Sequence, residues 1–538
     1  MAVLTDGAMQ AFGLTLDRFL DHAAKWHPTS GVVTARSGGD FEQIGYAGLR
    51  ERARSVSAAL RGLGVQLGDR VATLAWNSQA HVEAWYGIMG MGAACHTLNP
   101  RLHPDQLSQM LASSGARVLI ASADLLDLAV EIAGTATLLE HLLVIDGGLP
   151  AGKRARIPVQ ALEPLLVGAG TDVAWGEFDE WLPAGLCFTS GTTGAPKGVT
   201  YTHRSNYLHT LRFLQADVGG LTCADSVLVA VPMFHANAWG LPFAVPAVGA
   251  RLVLPGRATD GQSLARVINS ESVTVAVGVP TVWLGLAEHL ESVGGAVPSL
   301  NRIIVGGAPI PPALMARLES TLGAIVQTSW GMTELSPVGV VASPYEPGRN
   351  AAVSGRPALG VDLLLVDDKG EPLAPQRGRE GRLRVRGEAV VSRYLGQHTS
   401  ATDGDGWFDT GDLARIDDRG NVTITGRAKD LIKSGGEWIN PAEMETIIGA
   451  LPQVSIAAVI GRADPKWGER PVLIVEIRRH QSCTDDELLA ALRGHVPTWW
   501  LPAEIVRVAS MPTAATGKID KRRLRSEYGG SQVVHPDQ

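Results

Sequence analysis

Apolar positions early in the chain recur at helical spacing, break off, and return as short continuous runs, and the two patterns take turns. An opening helix is predicted to end near His27-Pro28, followed by a strand. A second helix is predicted over Tyr46–Leu63, closed by Gly62 and Gly64. Gly68-Asp69-Arg70 turns into a strand over Val71–Ala75, and a helix over Ala80–Met91 runs out at Gly92-Ala93-Ala94, before Asn99-Pro100. Gln106–Ser114 reads as a helix, and Arg117–Ala121 and Leu142–Ile145 as strands. This alternation predicts an α/β fold with largely parallel sheets.

Residues 147–180, rich in Gly, Pro and Ala, are expected to form an irregular connector. Ala184–Phe188 then reads as a strand end, and His203–Ala216 as a helix. Further on, a strand from Arg302 runs into a glycine turn. Asp417-Asp418-Arg419-Gly420-Asn421 reads as a hairpin turn between Leu413–Ile416 and Val422–Thr425. The pattern changes at Asn440-Pro441, a cap followed by proline that marks a helix start. Strands over Val454–Ile460 and Val472–Ile477 and a helix over Asp485–Arg493 complete a small α+β unit of about a hundred residues.

At 538 residues the chain is long enough for more than one core, and 45% hydrophobic with 19% charged residues is a globular composition. A net charge of −7 supplies no field for nucleic acid or an anionic membrane. Cys95, Cys187, Cys223 and Cys483 are scattered without a CxxC pair, which predicts reduced thiols in a cytoplasmic enzyme. The N-terminus has no basic n-region, so no signal peptide is read there. The apolar region Val227–Leu254 is interrupted by Pro232, His235, Asn237, Pro242, Pro246 and Arg251. It is therefore expected to be buried core around a pocket, with no transmembrane segment.

The densest chemistry is Thr189-Ser190-Gly191-Thr192-Thr193-Gly194-Ala195-Pro196-Lys197-Gly198. Its glycines let successive backbone N–H groups face one anion, its hydroxyls add donors, and Lys197 adds a positive charge. It is not a Walker A loop, because Lys197 follows Pro196 and Gly198 stands where Ser or Thr is needed. The stretch resembles the phosphate loop of the adenylate-forming superfamily, which includes acyl-CoA synthetases, luciferases and the adenylation domains of peptide synthetases. Further motifs in family order carry the resemblance to the end of the chain. These are Val305-Gly306-Gly307-Ala308, Trp330-Gly331-Met332-Thr333-Glu334, Gly406–Asp412, Gly426–Gly436 and Pro512–Lys518.

The resemblance implies a large N-terminal α/β domain over 1–426, a hinge over 427–431 and a small mobile α+β domain over 432–538. It implies ATP, Mg²⁺ and coenzyme A as the small-molecule partners of a carboxylic acid, in a family where homodimers are common. Thr189–Gly194 and Lys197 would hold the phosphates, and Gly306, Gly307 and Ala308 the adenine. Trp330, where the family usually has tyrosine, would flank the base or the acyl pocket without the tyrosine hydroxyl, beside Gly331 and Met332. Thr333 would contact the α-phosphate, Glu334 would hold Mg²⁺, and Asp412 would accept the ribose hydroxyls, near Ile424 and Arg427. Lys429 would be the pivot, Lys518 the lysine of the first half-reaction, and Lys433 and Gly435 would line the pantetheine tunnel. His235, Trp239 and Val305 would border the acyl pocket, with Trp239 as its gate.

The implied activity is an acid–CoA ligase. The stretch Val231–Pro242 resembles that of medium- and long-chain fatty acyl-CoA synthetases. A ligase for a short functionalised or aryl acid, a carrier-loading adenylation enzyme and a luciferase-like oxygenase share the same motifs and stand as alternatives.

Overall fold

A computed structural model describes residues 9–36, 38–149, 155–189, 196–346, 348–478, 480–514 and 518–530. The chain divides into two compact units, residues 1–215 with 221–257 and 393–399, and residues 216–220 with 258–392 and 400–538. The second unit joins strands from before the 427–431 segment to the whole C-terminal region.

The first unit holds a seven-stranded sheet in the order 159–161, 141–145, 118–122, 70–74, 94–97, 183–189, 197–202. Every pairing is parallel except the last, between Pro183–Thr189 and Lys197–Thr202. Strands such as Val118–Ser122 are buried throughout, as expected of parallel strands covered on both faces. Gly31–Ala35 and Arg251–Leu254 form a second parallel pair beside Ser226–Val229, with Phe41–Gly45 returning antiparallel. The helix at Gln79–Gly90 begins where the Ser78 side chain accepts from the His81 N–H, and Pro104–Ser114 ends on Gly115 in the left-handed region at φ 65°.

Residues 147–180 are more ordered than the sequence suggests. Val159–Ala161 adds an edge strand and Leu162–Ala169 forms a helix. The strand is three residues long and partly exposed, so it leaves no apolar signature.

In the second unit Val275–Gly278, Arg302–Val305 and Ile325–Gly331 lie parallel, and Val338–Val341 and Arg356–Pro357 extend the edge antiparallel. A four-stranded antiparallel sheet follows over 362–366, 380–386, 408–416 and 422–427, with the hairpin turn at 417–421 as predicted. The C-terminal sheet pairs Val454–Asp464 with Gly468–Ile477 and packs Met444, Ile448, Leu473, Leu488 and Leu492 into its own core. Asn440 caps the helix Pro441–Gly449, and Thr484 with Glu487 forms a reciprocal capping box on Asp485–Leu492. Among the described residues no helix is long and apolar enough to cross a membrane.

Candidate active site

Motifs far apart in the sequence converge in the second unit around Asp412. The strands Phe408–Ile416 and Val422–Arg427 pair so that Asp412 lies opposite Arg427, and Arg427 Nε sits 3.0 Å from Asp412 Oδ1. From the strand Ile325–Gly331, the Trp330 indole Nε1–H donates to Asp412 Oδ2 at 2.8 Å. The Asp412 backbone N–H donates to Thr410 Oγ1. Burial pushes the Asp412 carboxyl up, and Arg427, Trp330 and Lys518 oppose that shift.

Lys518 belongs to the same group. Its ammonium feels Arg427, Asp412, Glu334 and Lys429, and desolvation, the largest influence, lowers it from the usual 10.5 to about 8. The Ala514 N–H donates to the Lys518 carbonyl, and Thr513 bridges Ile519. Glu334 is buried in a short 3₁₀ turn, Thr333–Leu335, directly after Gly331 and Met332. Gly331 is required where it stands, since a Cβ there would lie 2.2 Å from the Pro337 carbonyl oxygen. Ile424 lies in the partner strand opposite Ala414.

The candidate pivot lies between two anchors. On one side Arg427 is tied to Asp412; on the other, Asp430 Oδ1 accepts from Arg525 Nη2 at 2.6 Å, on the C-terminal helix Lys521–Tyr528. Burial raises the Asp430 carboxyl, but Lys521 and Arg525 overcome it and hold it below the usual aspartate range. Only Ala428 and Lys429 are left between the anchors. Lys433 and Gly435 are placed elsewhere on the small sheet. Lys433 is exposed with its ammonium 5.4 Å from the Trp438 ring centre, and its backbone N–H donates to Glu469. Gly435 adopts φ +60° and a Cβ there would meet the Trp467 ring at 2.9 Å.

Val305 is buried at the end of its strand, where its carbonyl accepts from Ser329 Oγ. Gly306, Gly307 and Ala308 follow as the expected turn, with Gly307 at φ +79°.

In the first unit, Thr189 and Lys197 pair across the two antiparallel strands that flank the phosphate-type loop. Ser190, Gly191, Thr192, Thr193 and Gly194 lie outside the described residues. Lys197 Nζ sits 4.9 Å from the Tyr394 ring centre. The Val227–Leu254 region is largely buried, as read from its prolines, and contains a backbone feature the sequence does not announce. Ala236, Asn237, Ala238, Trp239 and Gly240 all have positive φ, from 43° to 78°, in one left-handed turn. Each non-glycine residue so placed costs roughly 1–2 kcal/mol, and such strain gathers at functional segments. His235 precedes the turn, Trp239 is buried within it, and the Cys187 thiol contacts Asn237 Oδ1.

Sequence reasoning missed three groups that hold these segments. Asn77 Nδ2 donates to the carbonyls of Val229 and Val231 while its Oδ1 accepts from the Met233 N–H, pinning the segment before His235. Its one sequence signal is a polar residue just past an apolar strand. Tyr394 and the Asp430–Arg525 pair have none, because their partners are distant in sequence.

Residues 20–395 match the AMP-binding enzyme family and residues 443–518 match the AMP-binding enzyme C-terminal domain, so the chain belongs to that family. Within it, the chain is an AMP-forming acyl-CoA ligase. It is 39% identical over 534 residues to the 3-methylmercaptopropionyl-CoA ligase of Ruegeria lacuscaerulensis, covering 97% of this chain and 98% of that one. It is also 39% identical to the medium-chain-fatty-acid–CoA ligase of Ectopseudomonas oleovorans, covering 97% of each. Among solved structures, the anthranilate CoA ligase in complex with anthranoyl-AMP aligns with a TM-score of 0.87 at 25% identity, over 96% of this chain and 98% of that chain. ATP binding and the use of CoA follow from the family.

Proposed function

We propose that the enzyme activates a medium- or long-chain aliphatic acid in two steps. The carboxylate attacks the α-phosphorus of ATP, pyrophosphate leaves, and acyl-AMP forms. The CoA thiol then loses its proton and attacks the acyl carbonyl carbon, the single bond from that carbon to the phosphate oxygen breaks, and AMP leaves with that oxygen and its electron pair. The observation that carries this reading is the gathering of Lys518, Glu334, Asp412, Arg427 and Lys429 from four separate motifs.

Such chemistry depends on placement and neutralisation of charge, with no nucleophile supplied by the protein. Lys518 is assigned to the substrate carboxylate and the α-phosphate, Thr333 to the α-phosphate, and Asp412 with Arg427 to the ribose. Thr189–Gly194 and Lys197 are assigned to the remaining phosphates, and Gly306, Gly307 and Ala308 with Trp330 to the base. Glu334 fits Mg²⁺ because a buried, hard oxygen donor suits an ion that takes most of its ligands from phosphate and water. When bound, Mg²⁺ would neutralise phosphate charge. Lys433 and Gly435 are assigned to the pantetheine arm. Residues 427–431 are the hinge between a large domain over 1–426 and a small mobile domain over 432–538.

An aliphatic substrate is supported by the apolar stretch Val231–Pro242 and by the medium-chain relative. The test is a series of straight-chain acids of increasing length, set against methylthiopropionate and aryl acids, with kcat/KM as the readout. A maximum among the C6–C16 fatty acids supports the reading, and one at a sulfur-containing or aromatic acid overturns it. Trp239→Ala is expected to move that optimum by about two or more carbons while the KM for ATP changes less than about twofold, the loss of a buried side chain being felt by whatever packs on it. An unchanged acid series with altered ATP affinity would remove Trp239 from the acyl channel.

Ligand-free Lys518 is expected to titrate near pH 8. Between this pH and 10.5 the unfolded chain holds the lysine proton more firmly than the folded one, so this residue makes folding more favourable as pH rises through that window. Activity moves the other way, since the ammonium is the form that meets anions. Mapping the amine-labelling rate of Lys518 against pH, by peptide mass spectrometry, checks this; a midpoint near 10.5 would contradict it.

A further inference from the structure

The Asp412 carboxylate is bound from both sides before any nucleotide arrives. Oδ1 faces Arg427 Nε at 3.0 Å and Oδ2 accepts the Trp330 indole N–H at 2.8 Å, with the Asp412 side chain only 5% exposed. The arginine supplies the countercharge on one oxygen. The indole supplies a rigid donor on the other, and it has little freedom to move. A Cβ placed on Gly339, in the neighbouring strand, would lie 2.6 Å from Trp330 Cζ3, so the ring lies directly on that glycine. Trp330 also pairs with Val340 across the strands and is buried. A carboxylate oxygen has two acceptor sites, so each keeps one free after its protein donor is satisfied.

We propose that Trp330 is a positioning residue for ribose recognition: its N–H fixes the Asp412 carboxylate so that the remaining lone pairs meet the ribose 2′- and 3′-hydroxyls. The inference rests on the reading of Asp412 as the ribose acceptor. It gives the indole a task beyond flanking the base, one that depends on its N–H and not on its ring face. Without that donor, Asp412 keeps the arginine contact alone and turns about its side-chain bonds. Nucleotide binding then bears the cost of ordering it, while the reacting phosphate is unaffected.

The test compares ATP with 2′-deoxy-ATP and 3′-deoxy-ATP in the pyrophosphate-release half-reaction of wild type, Trp330→Phe, Trp330→Tyr and Asp412→Asn. Trp330→Phe is expected to raise the KM for ATP about tenfold, the usual weight of a hydrogen bond to a charged group, with kcat within about twofold. Its preference for ATP over the deoxy nucleotides should shrink by a similar factor. Trp330→Tyr, which puts a donor back on the ring, should keep more of that preference than Trp330→Phe. A merely structural role would weaken all three nucleotides equally, and that result overturns the inference, as does an unchanged KM. If Asp412→Asn leaves the preference intact, the ribose reading itself fails. If Asp412→Asn erases the preference and Trp330→Phe keeps it, only the role given to Trp330 fails.

Discussion

Lys518→Ala is expected to lower acyl-adenylate formation by about 10²–10³-fold, the usual cost of removing one charged donor from a developing anion. Acyl-adenylate supplied to the variant should still react with CoA at close to the wild-type rate. The reasoning starts from placement. Lys518 is held by the Ala514–Lys518 backbone hydrogen bond and faces Glu334, Asp412 and Arg427. Desolvation there makes its ammonium costly to keep when nothing binds it. A triphosphate and a carboxylate supply the missing negative charge, and their attraction to Lys518 grows as charge shifts on the α-phosphate. The discharge step needs no such neutralisation in the same place. Single-turnover pyrophosphate release, followed separately from CoA-dependent discharge, checks both halves. Adenylation at the wild-type rate would show that the role given to Lys518 is wrong.

Lys429→Pro is expected to leave adenylation within about tenfold of wild type and to slow CoA-dependent discharge by about 10²-fold or more, the scale set by lost orientation of reacting groups. Arg427 is tied to Asp412 and Asp430 to Arg525, so a rotation between the two anchored parts has only Ala428 and Lys429 in which to occur. Hinges are a few residues that absorb large changes in φ and ψ. Proline fixes its own φ near about −65° and also restricts the residue before it, here Ala428. The proposed cycle needs such a rotation, because Lys518 stands among the nucleotide-type residues while Lys433 and Gly435 lie elsewhere on the small sheet. Wild-type rates for both steps in Lys429→Pro would exclude rotation at this residue.

Much of the second-unit cluster was legible in the sequence because Thr333-Glu334, Asp412, Arg427 and Lys518 stand in short motifs whose order survives without any knowledge of contacts. The strands and helices of the first unit were legible for a different reason. Fully buried parallel strands such as Val118–Ser122 are apolar along most of their length, and the helices between them end at glycines such as Gly115. The edge strand Val159–Ala161 escaped because it has too few buried positions to leave a pattern. The left-handed turn at 236–240 escaped because three of its five residues, Ala236, Ala238 and Trp239, have no preference for positive φ. The donor role of Trp330 was hidden for the simplest reason: its partner is 82 residues away, and only the fold brings the indole N–H to Asp412.

The stoichiometry of the complete reaction tests the two-step, AMP-forming mechanism directly. The purified enzyme is given ATP, Mg²⁺, a fatty acid from the middle of the series and CoA, and AMP, ADP, pyrophosphate and acyl-CoA are counted. One AMP is expected for each acyl-CoA, with pyrophosphate released in a burst when CoA is withheld. Formation of ADP and phosphate in place of AMP and pyrophosphate, or acyl-CoA formed without AMP, would contradict it.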